Sequence, residues 1–192
     1  MALSDWIFKD INGNDLTAAL RDDMVAEGSK SLGIEVGDIE AGVIVHKQTI
    51  ADKPISGAVK TYFGAIDSTY TYYGAVFKYQ DYQNFVFVQV AYDGYLVIGE
   101  YTNGERMSWI EEGFGATIES GKWYILEAIL NDEDDEVSVR VKDANENTID
   151  ERTYQNIISS EWKGKGGGIG LFISSIRNGW YIRYDLTKIY YP

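Results

Sequence analysis

The chain has 192 residues, no cysteine, one histidine, 15 Tyr, 5 Trp and a formal net charge of −13. The missing cysteines exclude disulfides, thiolate chemistry and Cys-type zinc sites, and a single histidine leaves a His-cluster metal site hard to build. Acidity of this size repels phosphate backbones and anionic membranes, so nucleic acid is a poor partner, whereas cations and neutral ligands such as sugars are compatible with it.

The N-terminus carries no signal-peptide pattern, and no apolar run approaches the roughly 18 residues of a membrane span. The abrupt start and end suggest a module excised from a larger secreted parent, with other domains of that parent as partners. Residues 4–9 read as a first strand. Asp10, Asn12 and Asp15 lie in a turn rich in oxygen donors, but the EF-hand spacing fails, because its sixth and twelfth positions hold Asp15 and Arg21. A plain Asx-turn and a looser calcium site both fit these residues. Residues 16–20 read as one helical turn, 24–36 as two short strands broken at Gly28 or Gly33, and 43–47 as a strand holding His46, a structural histidine among β-branched neighbours. Residues 57–66 form the next strand.

Residues 70–79, 84–92 and 95–102 make an antiparallel meander of aromatic, β-branched and small residues. Asp93-Gly94 and Asn103-Gly104 are pairs of the kind that type I′ hairpins take. Residues 106–110 continue the sheet and 111–115 read as a loop. Residues 121–130 and 137–141 pair across an acidic turn, the second with strict apolar/polar alternation, which marks a half-buried strand. The only other helix is expected within 153–162. Lys163 to Gly168 resemble a phosphate loop in composition but lack its Gly-Lys-Ser/Thr ending and its following helix. Strands at 169–173 and 180–190 close the chain. About a dozen short strands with regular turns predict one all-β domain, a sandwich or barrel.

Four segments carry a resemblance. They are Gly74-Ala75-Val76-Phe77-Lys78 with Asp81-Tyr82-Gln83-Asn84-Phe85, then Asp93-Gly94-Tyr95-Leu96, then Trp123-Tyr124 with the strand that follows, and finally Gly168-Ile169-Gly170-Leu171 with Tyr184-Asp185-Leu186. Their order resembles the concanavalin A-like lectin/glucanase superfamily, with laminin-G and laminarinase-like members. The closing strand departs from that pattern at Tyr184 and Leu186, and the usual Asn-Gly turn is replaced by residues 143–147. The resemblance covers roughly residues 57–191 and implies a two-sheet antiparallel jelly-roll β-sandwich, with residues 1–192 as its single domain. It also implies a structural Ca²⁺ with Asp185 as a ligand, and Asp10, Asn12 and Asp15 as partners by location. The laminarinase motif Glu-x-Asp-x-x-Glu does not occur, and Glu111-Glu112 and the 131–136 cluster are adjacent carboxylates in turns.

Alternation within the meander divides two faces. Val86, Val88 and Val90, with Leu96 and Ile98, face the core. Tyr70, Tyr72, Val76 and Lys78, then Phe85, Phe87 and Gln89, then Tyr95, Val97 and Tyr101, face the other way. Tyr72, Phe87, Gln89, Tyr95 and Tyr101, with Lys78 at the edge and Trp109 and Trp180 nearby, therefore form an expected aromatic patch, of the kind that binds a glycan or polysaccharide. The alternative is that these rings pack on one another as cross-strand pairs. The expected function is a non-catalytic, lectin-like module of a secreted or cell-surface protein. A structural or adhesive domain and a divergent glycoside hydrolase or polysaccharide lyase are the other two readings.

Overall fold

The computed structural model describes residues 2–22, 26, 31–36, 39–65, 71–175 and 180–192, with backbone alone at 35, 36, 39, 40, 65, 175, 180 and 181. After a single 3₁₀ turn, the first half holds β1 (Trp6–Asp10), β2 (Thr17–Arg21), β3 (Ser31–Val36), β4 (Ile39–His46), α1 (Lys47–Asp52) and β5 (Gly57–Ala65). The meander is β6 (Thr71–Asp81), β7 (Asn84–Ala91), β8 (Tyr95–Thr102) and β9 (Glu105–Gly113). The chain then runs through β10 (Tyr124–Asn131), β11 (Glu136–Asp143), β12 (Thr148–Gln155), β13 (Gly168–Ser175) and β14 (Trp180–Tyr190).

These strands form two seven-stranded sheets, one ordered β1-β4-β13-β6-β7-β8-β9 and the other β12-β11-β10-β5-β14-β3-β2. All described pairings are antiparallel. The main core lies between the sheets. Ile44, Tyr73, Phe77, Val86, Val88, Val90, Leu96 and Ile98 of the first sheet pack there with Phe63, Leu126, Val137, Val139 and Val141 of the second. Period-2 alternation produces this directly: the valines of β11 turn inward while Ser138, Arg140 and Lys142 turn outward.

The two outer faces differ. On the second sheet, Glu127 binds Lys60 at 3.1 Å, Lys142 at 2.9 Å and Arg140 at 3.2 Å across neighbouring strands, and Arg140 also pairs with Glu151. On the first sheet the outer face is apolar and aromatic. Val43, Val45, Val76, Phe85, Phe87, Val97, Tyr101 and Phe172 form a second buried cluster, with Ile11 from the β1–β2 turn.

Two helix expectations are corrected. Residues 16–20 are not helical: Thr17–Arg21 pairs with β3, because satisfying the ladder of a sheet edge outweighs a weak local helical tendency. The helix expected within 153–162 is absent. Its first residues belong to β12, paired to β11, and the rest are turns that bury Trp162. Among the described residues the one α-helix, α1, follows His46 instead. It ends on Lys53 in the left-handed region (φ 50°), whose N–H reaches Thr49 O, with Pro54 next, a common way to stop a helix. His46 itself packs edge-on against Trp6, 4.9 Å between centroids.

The turns also divide. Asn103 and Gly104 both have positive φ (54° and 82°), as a I′ turn requires. At Asp93-Gly94 only Gly94 does (φ 79°), and its N–H reaches Ala91 O at 3.1 Å, so the hairpin closes through three residues with glycine in the left-handed position. Residues 111–113 extend β9 rather than forming a loop. Of the two strands expected within 24–36, the second is β3, running through Gly33, while residues 24–25 and 27–30 lie outside the described residues, as does Tyr70.

Candidate functional site

On the outer face of the first sheet a groove of about 330 Å³ crosses five strands. Ser174 of β13 and Tyr72 of β6 line one end. Gln89 and Ala91 of β7, with Tyr95, Val97 and Tyr101 of β8, form its middle. Arg106 and Glu111 of β9 and Asp93 of the β7–β8 turn complete it. Four of the expected residues, Tyr72, Gln89, Tyr95 and Tyr101, thus meet in one depression. Two glycines pair with residues of this face. Gly74 pairs with Gln89, and Gly99 pairs with Phe87.

The lining residues are not equally open. Tyr95 is exposed (42%) and Tyr72 half-buried, packed edge-on against Tyr92 at 6.3 Å. Tyr101 is 1% exposed and stacks on Phe85 at 4.9 Å. Gln89 is only 8% exposed, yet its side-chain amide makes no hydrogen bond among the described residues. Its amide atoms are not among the fully buried, unsatisfied ones, so they open onto the groove, where water or a ligand can hydrogen-bond them.

Phe87 is a correction. It lies on the expected face but is fully buried, stacked on Phe172 at 5.0 Å, and the Arg106 guanidinium covers it from above at 5.6 Å. For Phe85 and Phe87 cross-strand aromatic packing prevails, and neither ring offers a free face.

Lys78 is a second correction. Strand alternation would place it beside Val76, but it has φ 54°, and the β6 registers shift on both sides of it. The bulge turns Lys78 to the same side as Phe77. There it is 1% exposed, paired with Asp132 of the β10–β11 turn and donating to Lys165 O at 2.8 Å. Burial pulls its ammonium below the ordinary lysine value, and the Asp132 contact offsets only part of that. The residue that follows, Tyr79, returns to the outer cluster, where burial first and Asp81 second push its hydroxyl up to about 12.

Trp109 also lies away from the groove. It packs on the core between the sheets and donates Nε1–H to Glu100 at 3.1 Å, a carboxylate that accepts from Ser159 as well. The Trp180 side chain is outside the described residues.

Alternation alone would put Arg106 and Glu111 on opposite faces. A one-residue bulge in β9 brings them together: Ile98 pairs with Ile110 while Gly99 pairs with Ser108, leaving Trp109 as the extra residue. Trp109 and Ile110 both turn toward the core, so Glu111 rejoins the face of Arg106. Arg106 was legible in principle, because counting outward from the Asn103-Gly104 turn pairs Tyr101 with Arg106. Neither Glu111, which depends on the bulge, nor Asp93 and Ser174 has such a signal.

Three of the expected calcium ligands, Asp10, Asp15 and Asp185, make hydrogen bonds or ion pairs within the protein. Asp10 accepts the Asn12 N–H, the Asn14 N–H and Asn14 Nδ2, each at 2.8 Å, and so makes the Asx-turn. Asp15 pairs with Lys9 at 2.8 Å. Asp185 lies on β14 in the other sheet and accepts from Ala26 N–H at 3.1 Å. Among the described residues no three His, Asp or Glu side chains gather as a metal site requires. The 131–136 carboxylates serve the fold as well: Asp132 accepts the Gly164 N–H, and Asp135 accepts the Ile158 N–H and pairs with Lys163.

No protein-family profile matches the chain, and no curated protein matches it in sequence. Solved structures do match in shape. The carbohydrate-binding module CBM66 of Bacillus subtilis superposes with a TM-score of 0.63 at 11% identity, over 96% of this chain and 94% of its own. Arcelin-5, a lectin-like defense protein of Phaseolus vulgaris, gives 0.60 at 8% identity, over 98% and 93%. A GH43 protein of Bacillus licheniformis gives 0.57 at 14%, over 96% of this chain but 39% of its own. The fold is therefore the concanavalin A-like sandwich that the sequence motifs imply.

Proposed function

We propose that this domain is a non-catalytic glycan-binding module, and that it binds in the groove on the outer face of the first sheet. The observation that carries the reading is Gln89: a polar side chain held more than nine-tenths buried, without a hydrogen-bond partner among the described residues, in a depression flanked by Tyr72 and Tyr95. Sugars present an apolar face of C–H groups and a rim of hydroxyls. An exposed tyrosine ring takes the first, and an amide with both donor and acceptor takes the second. Arg106, Asp93, Glu111 and Ser174 supply further polar contacts around the rim. Two structural neighbours, a carbohydrate-binding module and a lectin-like protein, agree with the reading.

Binding of this kind needs no metal and no chemistry. It suits a secreted or cell-surface location, where polysaccharide is met. No described helix is long and apolar enough to cross a membrane. One observation favours a second reading, glycan hydrolysis: Asp93 and Glu111 line the same groove. Paired carboxylates around a glycan are what hydrolysis would use.

A glycan array followed by titration calorimetry tests the proposal. Gln89→Ala and Tyr95→Ala are each expected to weaken the best ligand about tenfold, equivalent to roughly 1.4 kcal/mol, with the fold retained. An array without a single binder, or a Gln89→Ala, Tyr95→Ala double variant that binds as wild type, would remove it. Sugar released from a polysaccharide panel and abolished by Glu111→Gln would establish hydrolysis instead.

A further inference from the structure

Resting on the groove as the glycan site, we infer that its preferred ligand carries a carboxylate sugar, a hexuronic acid, on an otherwise neutral glycan, and that Arg106 reads the carboxylate. Many cations of this acidic protein are committed to carboxylates: Lys9 to Asp15, Lys60 and Lys142 to Glu127, Arg140 to Glu151, Lys163 to Asp135. Arg106 is not. It is exposed, lines the groove and has no carboxylate partner among the described residues. Its guanidinium lies over Phe87, reaching across β8 where Gly99 leaves the way open. The ring packs against the guanidinium, whose N–H donors meet no acceptor among the described residues. A planar cation of fixed position with free donors matches a carboxylate, which it can grip through two parallel hydrogen bonds.

The rest of the groove limits where that charge can sit. Glu111 and Asp93 line it too, and neither has a cationic partner among the described residues. Arg106 pairs with Tyr101 and Glu111 with Val97, so they stand about 13 Å apart along the sheet, four partner residues at ~3.3 Å each. The groove is thus cationic at the Tyr101 end and anionic toward Tyr95. A polyanion would meet Glu111, Asp93 and the −13 net charge with like sign. A single carboxylate at the Arg106 end, followed by neutral hydroxylated residues, fits both ends at once.

Matched oligosaccharide pairs test this: glucuronic acid-capped against glucose-capped, and galacturonic acid-capped against galactose-capped, titrated at constant ionic strength. Wild type is expected to bind the uronic member of at least one pair tenfold or more tighter. Arg106→Gln should bring that ratio to within twofold of one, and Arg106→Lys, which keeps the charge without the fork, should hold an intermediate ratio. Equal affinity within both pairs, with neutral members still bound, overturns the inference and leaves the glycan site standing. A ratio that persists in Arg106→Gln also overturns it. Binding of neither member of either pair overturns both. A fully charged polyuronate that binds more tightly than the singly capped oligosaccharides overturns the limit set by Glu111 and Asp93.

Discussion

Lys78 and Asp132 join the two sheets at one end of the sandwich, and each is almost fully buried. Their partners are unequal. Asp132 also accepts the Gly164 N–H at 2.8 Å, while Lys78 has Lys165 O besides the carboxylate. Removing one member of a buried pair strands the other's charge, at a cost of roughly 3–5 kcal/mol. Asp132→Ala should lower the unfolding free energy by about that amount in urea titration. Lys78→Met should cost less, because Asp132 keeps an amide donor and the methionine fills apolar space. Two variants that each lose under about 1 kcal/mol would show that the pair contributes little. This pair also marks a limit of legibility at the level of one residue. Gln89 could be read from its neighbours because β7 alternates without interruption, Phe85, Phe87 and Gln89 against Val86, Val88 and Val90. Lys78 could not, because a non-glycine residue at positive φ breaks the parity of β6, and nothing in the sequence announces it.

The β8–β9 hairpin does at the level of an element what Lys78 does for one residue. Its turn and its first four pairs follow from Asn103-Gly104, and its far half follows from the bulge at Trp109. Gly99 sits at the bulge, where a Cβ would fall inside contact distance of the Met107 carbonyl oxygen. Backbone has to shift to admit it, so Gly99→Ala should destabilise the domain by about 1–3 kcal/mol. The shift falls on the strand that carries Arg106 and Glu111, so sugar affinity should drop as well. Gly113→Ala provides the comparison, since a Cβ there meets nothing within 4 Å. Equal melting temperatures for the two variants would dismiss the bulge as a constraint. Helices were the least legible elements for a related reason. Thr17–Arg21 and Thr148–Gln155 are outer strands with few buried side chains, and their ladders with β3 and β11, rather than their own residue pattern, decide their conformation.

At the scale of the molecule the strand count, turn spacing and alternation sufficed for a two-sheet sandwich, because burial between sheets imposes a period that the sequence must carry. The same rule gives no account of the outer faces, where one sheet became an aromatic cluster with a groove and the other a lattice of ion pairs. That lattice, together with carboxylates held in the turns, has a consequence for acid stability. Lys163 and the Ile158 N–H hold Asp135 below the usual carboxylate range. Burial pushes Glu127 up, but Lys142 and Lys60 together outweigh it and hold it below as well. Arg140 lowers Glu151, and the Asn147 side chain lowers Asp143. In each case the folded value is depressed, so the unfolded chain takes up protons first, near pH 3.9 for Asp and 4.3 for Glu. The stabilisation is present above those values and is lost as pH falls through the lower folded ones. Urea midpoints should therefore be level with respect to these groups between about pH 5 and 7 and fall steeply below about pH 4. Asp135→Asn, which cannot titrate, should start from a lower midpoint and fall less steeply. A wild-type midpoint that holds to pH 3 would mean that these carboxylates are no better placed in the fold than in the open chain.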